Sequence, residues 1–208
     1  MASLSGVQRW DLETDLLVAG YGLAGASAAI EAHDLDPGCE ILVVEKQPRA
    51  WAGGNTRVSG QSLLISKNAR ALADYQRVMS ATNPVPEDML QSWARAMTEL
   101  EPWIQARAAE AGARYIKGTG FSEREAVREF PELGAEAAVA YTATILPIPS
   151  GVWLAFDANV ARRSRIRVEY ETRIVDLVQD PDTLEVHGAI VEQRGVRLCV
   201  KARRAVVT

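Results

Sequence analysis

An α/β fold is predicted by this sequence: a parallel sheet with helices packed on it, continued by a β-meander. Three observations predict it. Short, nearly all-apolar runs occur at residues 15–19 (Asp-Leu-Leu-Val-Ala) and 40–45 (Glu-Ile-Leu-Val-Val-Glu), as in parallel strands covered on both faces. An alanine-rich helical segment, Ala26 to His33, lies between them, and Pro37 and Gly38 break the chain before the second run. From Ile166 onward short strands follow one another, and Val186–Val191 and Val196–Val200 flank Gln193-Arg194-Gly195, a hairpin signal.

The bulk numbers narrow the class. With 208 residues, 48% of them hydrophobic, the chain has enough apolar mass for a sizeable core. Its 23 basic and 27 acidic side chains leave a net charge of −4, which gives no support to a nucleic-acid or anionic-membrane partner. No run approaches the roughly 18 consecutive apolar residues of a membrane span. Residues 1–6, Met-Ala-Ser-Leu-Ser-Gly, lack the basic-then-apolar run of a signal peptide. The two cysteines, Cys39 and Cys199, have no metal spacing and read as buried small hydrophobes, in keeping with a cytoplasmic setting. No metal site is expected.

Between the strand-rich ends the pattern turns helical. Leu72, Tyr75, Val78 and Met79, then Leu90, Trp93, Ala94 and Met97, recur at helical spacing from about Ala69 to Gly112. Pro102 is expected to break this stretch into two helices. Residues 117–150 carry no pattern that places them, and Gly151–Arg163 reads as a helix. Arg162, Arg163, Arg165 and Arg167 read as its solvated end. The expected organisation is thus a βαβ unit with a second glycine loop over 1–62, a largely helical insertion over 63–150, and a return to the first domain over 151–208.

The turn after the first strand is Gly20-Tyr21-Gly22-Leu23-Ala24-Gly25, a G-x-G-x-x-G that leaves a strand and opens a helix. Gly20 makes the tight turn, Gly22 lets a diphosphate approach bare backbone, and Gly25 lets the helix lie close to the strand. The free N–H groups of the first helical turn, from Leu23 and Ala24 onward, then face the diphosphate. Taken alone, this spacing also fits an ordinary strand-to-helix turn. Glu45 adds to it: it ends the second strand twenty residues after Gly25, where a carboxylate accepts from the ribose hydroxyls of an adenine dinucleotide and disfavours a 2′-phosphate. The prediction is a Rossmann-like dinucleotide domain.

The next stretch carries a resemblance. Glu45-Lys46 is followed by Gly53-Gly54-Asn55-Thr56, then Ser59-Gly60. This resembles the fumarate reductase/succinate dehydrogenase flavoprotein family, which includes the ketosteroid Δ1-dehydrogenases. The likeness is strong over 15–62 and diffuse afterwards. It implies a Rossmann-like FAD-binding domain, with Gly20, Gly22, Leu23, Ala24, Gly25, Glu45, Lys46, Gly53, Gly54, Asn55, Thr56, Ser59 and Gly60 around the cofactor. It also implies a backbone contact from Ile174 to the adenine. Membrane-bound members carry a flavin-bonding His where this chain has Asn55, so the resemblance implies non-covalent FAD. Many relatives have a second Gly where this chain has Gln61.

In that family an A-x-G-G turn follows the last strand, which Ala205-Val206-Val207 resembles. The sequence stops at Thr208, so the expectation is a domain truncated before its last strand, with the catalytic residues beyond it and none identifiable here. The implied parent enzyme reduces or forms a C=C bond beside a carbonyl or carboxylate. Its substrate would be an organic acid or a steroid-like ketone, with a separate electron donor or acceptor; its oligomeric state is open. Two other readings remain: an NAD-dependent Rossmann dehydrogenase, and a non-catalytic nucleotide-binding split subunit. The long helical insertion argues against the former, because that fold brings its next helix and strand promptly.

Overall fold

A computed structural model describes residues 1–118 and 123–208. In chain order its regular elements are β1 (Ala2–Ser3), β2 (Leu12–Ala19), α1 (Leu23–Leu35), β3 (Ile41–Val44), α2 (Gly54–Val58), β4 (Leu63–Ser66), α3 (Ala69–Met79), α4 (Glu87–Glu110), β5 (Arg114–Lys117), α5 (Glu123–Ala126), β6 (Val139–Leu146), α6 (Gly151–Ala161), β7 (Ile166–Glu169), β8 (Thr172–Gln179), β9 (Val186–Gln193) and β10 (Val196–Val207). They form two compact units, Met1–Val58 with Phe156–Thr208, and Ser59–Ala155.

The first unit holds a seven-stranded sheet in the order β1-β8-β9-β10-β2-β3-β7. Its parallel part places Leu16–Ala19 beside Ile41–Val44, and those beside Ile166–Glu169. All four residues of β3 are buried, which is why that run shows no polar alternation. Leu17, Leu42 and Val44 pack with Ala189, Val191, Val200 and Ala202 in one cluster. The meander of β8, β9 and β10 thus shares its core with the parallel strands. Gly188 serves this packing, since a Cβ there would lie 2.0 Å from the Val200 carbonyl oxygen.

The strand expected to open at Ala205 is instead the far half of β10. Val196–Lys201 pair antiparallel with β9, and the same strand pairs parallel with β2 through Val200–Ala202 and Ala205–Val207. The register shifts between Ala202 and Ala205, a bulge that re-aims the strand without ending it. Arg203 and Arg204 occupy it. The Arg203 guanidinium donates to Asp15 Oδ1 at 2.9 Å and to Glu40 Oε2 at 2.8 Å, while Arg204 reaches Asp36 Oδ2 at 2.7 Å.

A second correction concerns Arg163. It is not part of a solvated helix end: its side chain is 8% exposed and grips Asp34, at the end of α1, through two bonds of 2.7 Å. The same guanidinium donates to the Asn159 carbonyl at 2.8 Å. A buried arginine is tolerable because its donors are matched in this way. Cys39 is buried as expected, but Cys199 is half-buried on β10, and both thiols are free.

The second unit is less helical than its sequence suggests. Besides α3 and α4 it contains a three-stranded antiparallel sheet, β4-β6-β5. Two of those strands are four residues long, too short for a period to register. Pro102 does not divide α4, which runs unbroken from Glu87 to Glu110. A mid-helix proline costs roughly 3 kcal/mol. Burial of Leu90 and Ala94 before it, and of Ile104 and Ala108 after it, offsets that. Among the described residues no helix is long and apolar enough to cross a membrane.

The bulge arginines generate a prediction. The Arg203 guanidinium, helped by the Glu40 N–H, holds the Asp15 carboxyl down from 3.8 to about 2. A depressed folded-state value stabilises the protein above the ordinary carboxylate range and loses that contribution as pH falls toward 2. Arg203→Met should therefore melt lower than the parent near neutral pH, with the gap shrinking between pH 4 and pH 2. Thermal melts at stepped pH check this; a gap that persists undiminished at pH 2 contradicts it.

Candidate functional site

The site begins where β2 ends. Gly20, at φ +92°, turns the chain off the strand, and its N–H donates to the Val44 carbonyl at 2.8 Å. That conformation suits glycine and few other residues. Gly22 then caps α1 without a side-chain hydrogen bond of its own. Gly25 lies where helix and strand meet: a Cβ would sit 2.0 Å from the Gly20 carbonyl oxygen and 3.2 Å from a Val18 methyl. Gly22 differs. Its φ is −100°, and a Cβ would meet nothing nearer than the Gly53 carbonyl oxygen at 3.6 Å. The chain's own packing therefore requires glycine at Gly25 and not at Gly22.

Glu45 follows β3 and is 6% exposed. Its Oε2 accepts the Tyr21 N–H at 2.8 Å and its Oε1 accepts the Gln47 N–H at 2.8 Å. Its backbone is held as well: the Glu45 N–H donates to the Glu169 carbonyl, and its own carbonyl accepts from the Thr172 N–H, both at 2.8 Å. Each carboxylate oxygen has a further lone pair, so two hydroxyl donors can still be accepted.

These elements border a cleft of about 440 Å³ lined by Gly20, Tyr21, Gly22, Glu45, Lys46, Gln47, Trp51 and Gly54. Five of the sequence-predicted residues, Gly20, Gly22, Glu45, Lys46 and Gly54, thus share one cavity. Leu23 and Ala24 form the first turn of α1. Gly53, at φ +111°, leads into α2, which carries Asn55 and Thr56. Thr56 ties the two glycine segments together, since its Oγ1 accepts the Leu23 N–H at 3.2 Å. Ile174 is not part of this lining. It lies on β8 opposite Val191, next to a register shift at Val175. Ser59 and Gly60 fall in the second unit, where Ser59 Oγ accepts the Gln61 N–H at 3.3 Å.

Tyr21 and Trp51 escaped the sequence reading, and Gln61 entered it only as a departure from a glycine. Tyr21, the variable position between two glycines, is 1% exposed. Its hydroxyl donates to Asp157 Oδ1 at 2.8 Å, and its ring meets Tyr170 edge-on at 6.2 Å. Burial first, and then the Asp157 charge, push its phenol far above the ordinary range. Trp51 lies on the cleft with most of its indole open. Gln61 stands at φ +60°, a conformation that favours glycine. Its buried amide compensates: it donates to the Ser59 carbonyl at 3.1 Å and accepts the Val152 N–H at 3.1 Å, at the start of α6. A large polar side chain in a glycine-like turn was the available signal.

Fold and cleft together define a class: an α/β dinucleotide-binding domain with a G-x-G-x-x-G helix mouth and a strand-end carboxylate. More narrowly, the chain belongs to the FAD binding domain family, whose sequence model matches residues 15–208. Among solved structures, the 3-ketosteroid-Δ4-(5α)-dehydrogenase from Rhodococcus jostii RHA1 is similar over 99% of this chain and 47% of its own, at 26% identity and a TM-score of 0.71. The 3-ketosteroid Δ1-dehydrogenase from Sterolibacterium denitrificans matches over 93% and 47%, at 17% identity and 0.65. A flavocytochrome c3 fumarate reductase matches over 95% and 33%, at 19% identity and 0.64. These last two likenesses carry the fold alone. The chain spans about half the length of the two steroid dehydrogenases and a third of the fumarate reductase. No curated protein matches it in sequence. The family match favours FAD, and nothing favours the nicotinamide alternative.

The two glycines make a paired prediction. Gly25→Ala forces backbone apart and should cost about 1–3 kcal/mol or more, visible as a lower urea midpoint. Gly22→Ala should cost the fold about 1 kcal/mol at most. Equal losses in the two variants would contradict the steric distinction.

Proposed function

We propose that this chain is the FAD-holding part of a flavin-dependent oxidoreductase acting on a C–C single or double bond beside a carbonyl or carboxylate. The observation that carries the reading is Gly22. The fold does not need glycine there, yet the position opens on the cleft, at the mouth of a helix whose free N–H groups favour an anion. A diphosphate lying on that backbone accounts for the missing side chain.

In this reading the N–H groups at Gly22 and Ala24 receive the diphosphate, beside Leu23, whose own N–H is held by Thr56 Oγ1. Glu45, already oriented by the Tyr21 and Gln47 N–H groups, accepts from the ribose hydroxyls. Lys46 stands beside it as a cation, and Gly53, Gly54, Asn55 and Thr56 offer backbone and hydroxyl contacts along the cofactor. The Ile174 backbone would complete its surroundings within the first unit. When bound, FAD supplies the hydride chemistry, and the chain supplies binding and orientation. An Asn55 amide has no nucleophile for a flavin ring, which supports non-covalent attachment.

The substrate class proposed is an organic acid or a steroid-like ketone, with a separate electron donor or acceptor. The likeness to a 3-ketosteroid dehydrogenase at 26% identity supports the ketone. A cytoplasmic setting is part of the same proposal, supported by the two free cysteines.

Two measurements test this reading. The purified protein should show flavin absorption, and Gly22→Val should lose the yellow cofactor while keeping its far-UV circular dichroism. Acid precipitation should release the flavin into the supernatant. Colour retained by Gly22→Val removes the site reading, and flavin staying with the pellet removes the non-covalent one.

A further inference from the structure

We infer that Trp51 is the aromatic wall on which the adenine of the bound dinucleotide stacks. The inference rests on the site reading above and assigns a residue that neither glycine motif includes. Trp51 is 71% exposed, whereas an indole normally finds an apolar partner. It lines the same cleft as Glu45, Lys46 and Gln47.

The chemistry of the cleft divides by part. Gly20, Gly22 and Gly54 present bare backbone, which suits a diphosphate. Glu45 presents a carboxylate, which suits ribose hydroxyls. Tyr21 lines the cavity but is 1% exposed, so Trp51 is the one large apolar face left open on this wall. The component of the adenosine half still lacking a partner is the base. A purine ring offers a π-face whatever its hydrogen-bonding edge, and an indole is a suitable platform for it. The flavin ring is a poorer match, because Glu45 and the glycine mouth bring the adenosine end of the cofactor into this cleft.

The indole is also held from its backbone. Pro48 fixes the start of a tight turn over Arg49–Trp51, and the Trp51 N–H donates to the Pro48 carbonyl at 2.8 Å. Ala52, next in the chain, is 1% exposed, and its carbonyl accepts from the Arg57 guanidinium at 3.2 Å. An exposed ring on a fastened backbone is preorganised for a ligand, which lowers the ordering cost of binding.

The test uses the intact protein freed of flavin, titrated with FAD, with ADP as the adenosine half and with FMN as the flavin half. Trp51→Ala should weaken FAD and ADP by about tenfold, the scale of one lost base–aromatic stack, and leave FMN unchanged. ADP should quench tryptophan emission in the parent, and Trp51→Phe should recover most of the affinity but lose that quenching. Circular dichroism of each variant confirms that it folds. Unchanged ADP affinity in Trp51→Ala, in a protein where Gly22→Val has lost FAD, overturns the role of Trp51 and leaves the site standing. Weakened FMN with unchanged ADP overturns it too, since the indole then serves the flavin. Should Gly22→Val also keep FAD, the site reading falls and this inference with it.

Discussion

A buried carboxylate is the constraint on which the first unit depends. Taking Glu45 out of water is costly unless both oxygens find donors, and here each finds a backbone N–H, one from Tyr21 and one from Gln47. The first of these belongs to the glycine mouth of α1 and the second to the segment leaving β3. The backbone of Glu45 in turn bonds on both sides to the β7–β8 connection. One side chain therefore sets the spacing between the glycine mouth of α1 and the segment that leaves β3. Because two lone pairs are already taken by the chain, the remaining two point to a limited set of donors, and a pair of vicinal hydroxyls suits them.

Close approach of backbone is the second element of the design. Gly25 allows α1 to lie against β2, Gly188 allows β9 to meet β10, and Gly151 allows the start of α6 to meet the Ile145 carbonyl within its own unit. At each position a Cβ would overlap main-chain atoms. Tyr21 works in the opposite sense, filling the space beneath the glycine mouth with a ring fastened to Asp157 at 2.8 Å. The mouth is thus open toward the cleft and packed solid behind, so the helix N–H groups keep their direction.

Five residues of the cleft lining, Gly20, Gly22, Glu45, Lys46 and Gly54, were legible in the sequence because local pattern marks them. A glycine-rich turn, a strand-end acid and a second glycine pair lie within 35 consecutive residues, Gly20 to Gly54, and each is positioned by its own backbone or a nearby neighbour. What escaped was set at long range. Tyr21 meets a carboxylate 136 residues later, Arg163 meets Asp34 across 129, and Gln61 reaches α6 across 91. No spacing rule connects such pairs.

Local pattern alone determined the parallel strands, the first helix and its glycine-lined mouth, because burial on both faces and glycine sterics leave a direct mark on residue order. Only the tertiary structure decided that β10 is one strand with a bulge, that α4 runs through Pro102, and that a three-stranded sheet lies inside the helical insertion. In each case a local preference was outweighed. The bulge at Arg203 and Arg204 lies on a strand already paired with β9 and β2, Pro102 sits between buried turns of one helix, and strands of four residues acquire their identity from partners far along the chain. Packing against distant segments, which no window of sequence contains, supplied the deciding free energy.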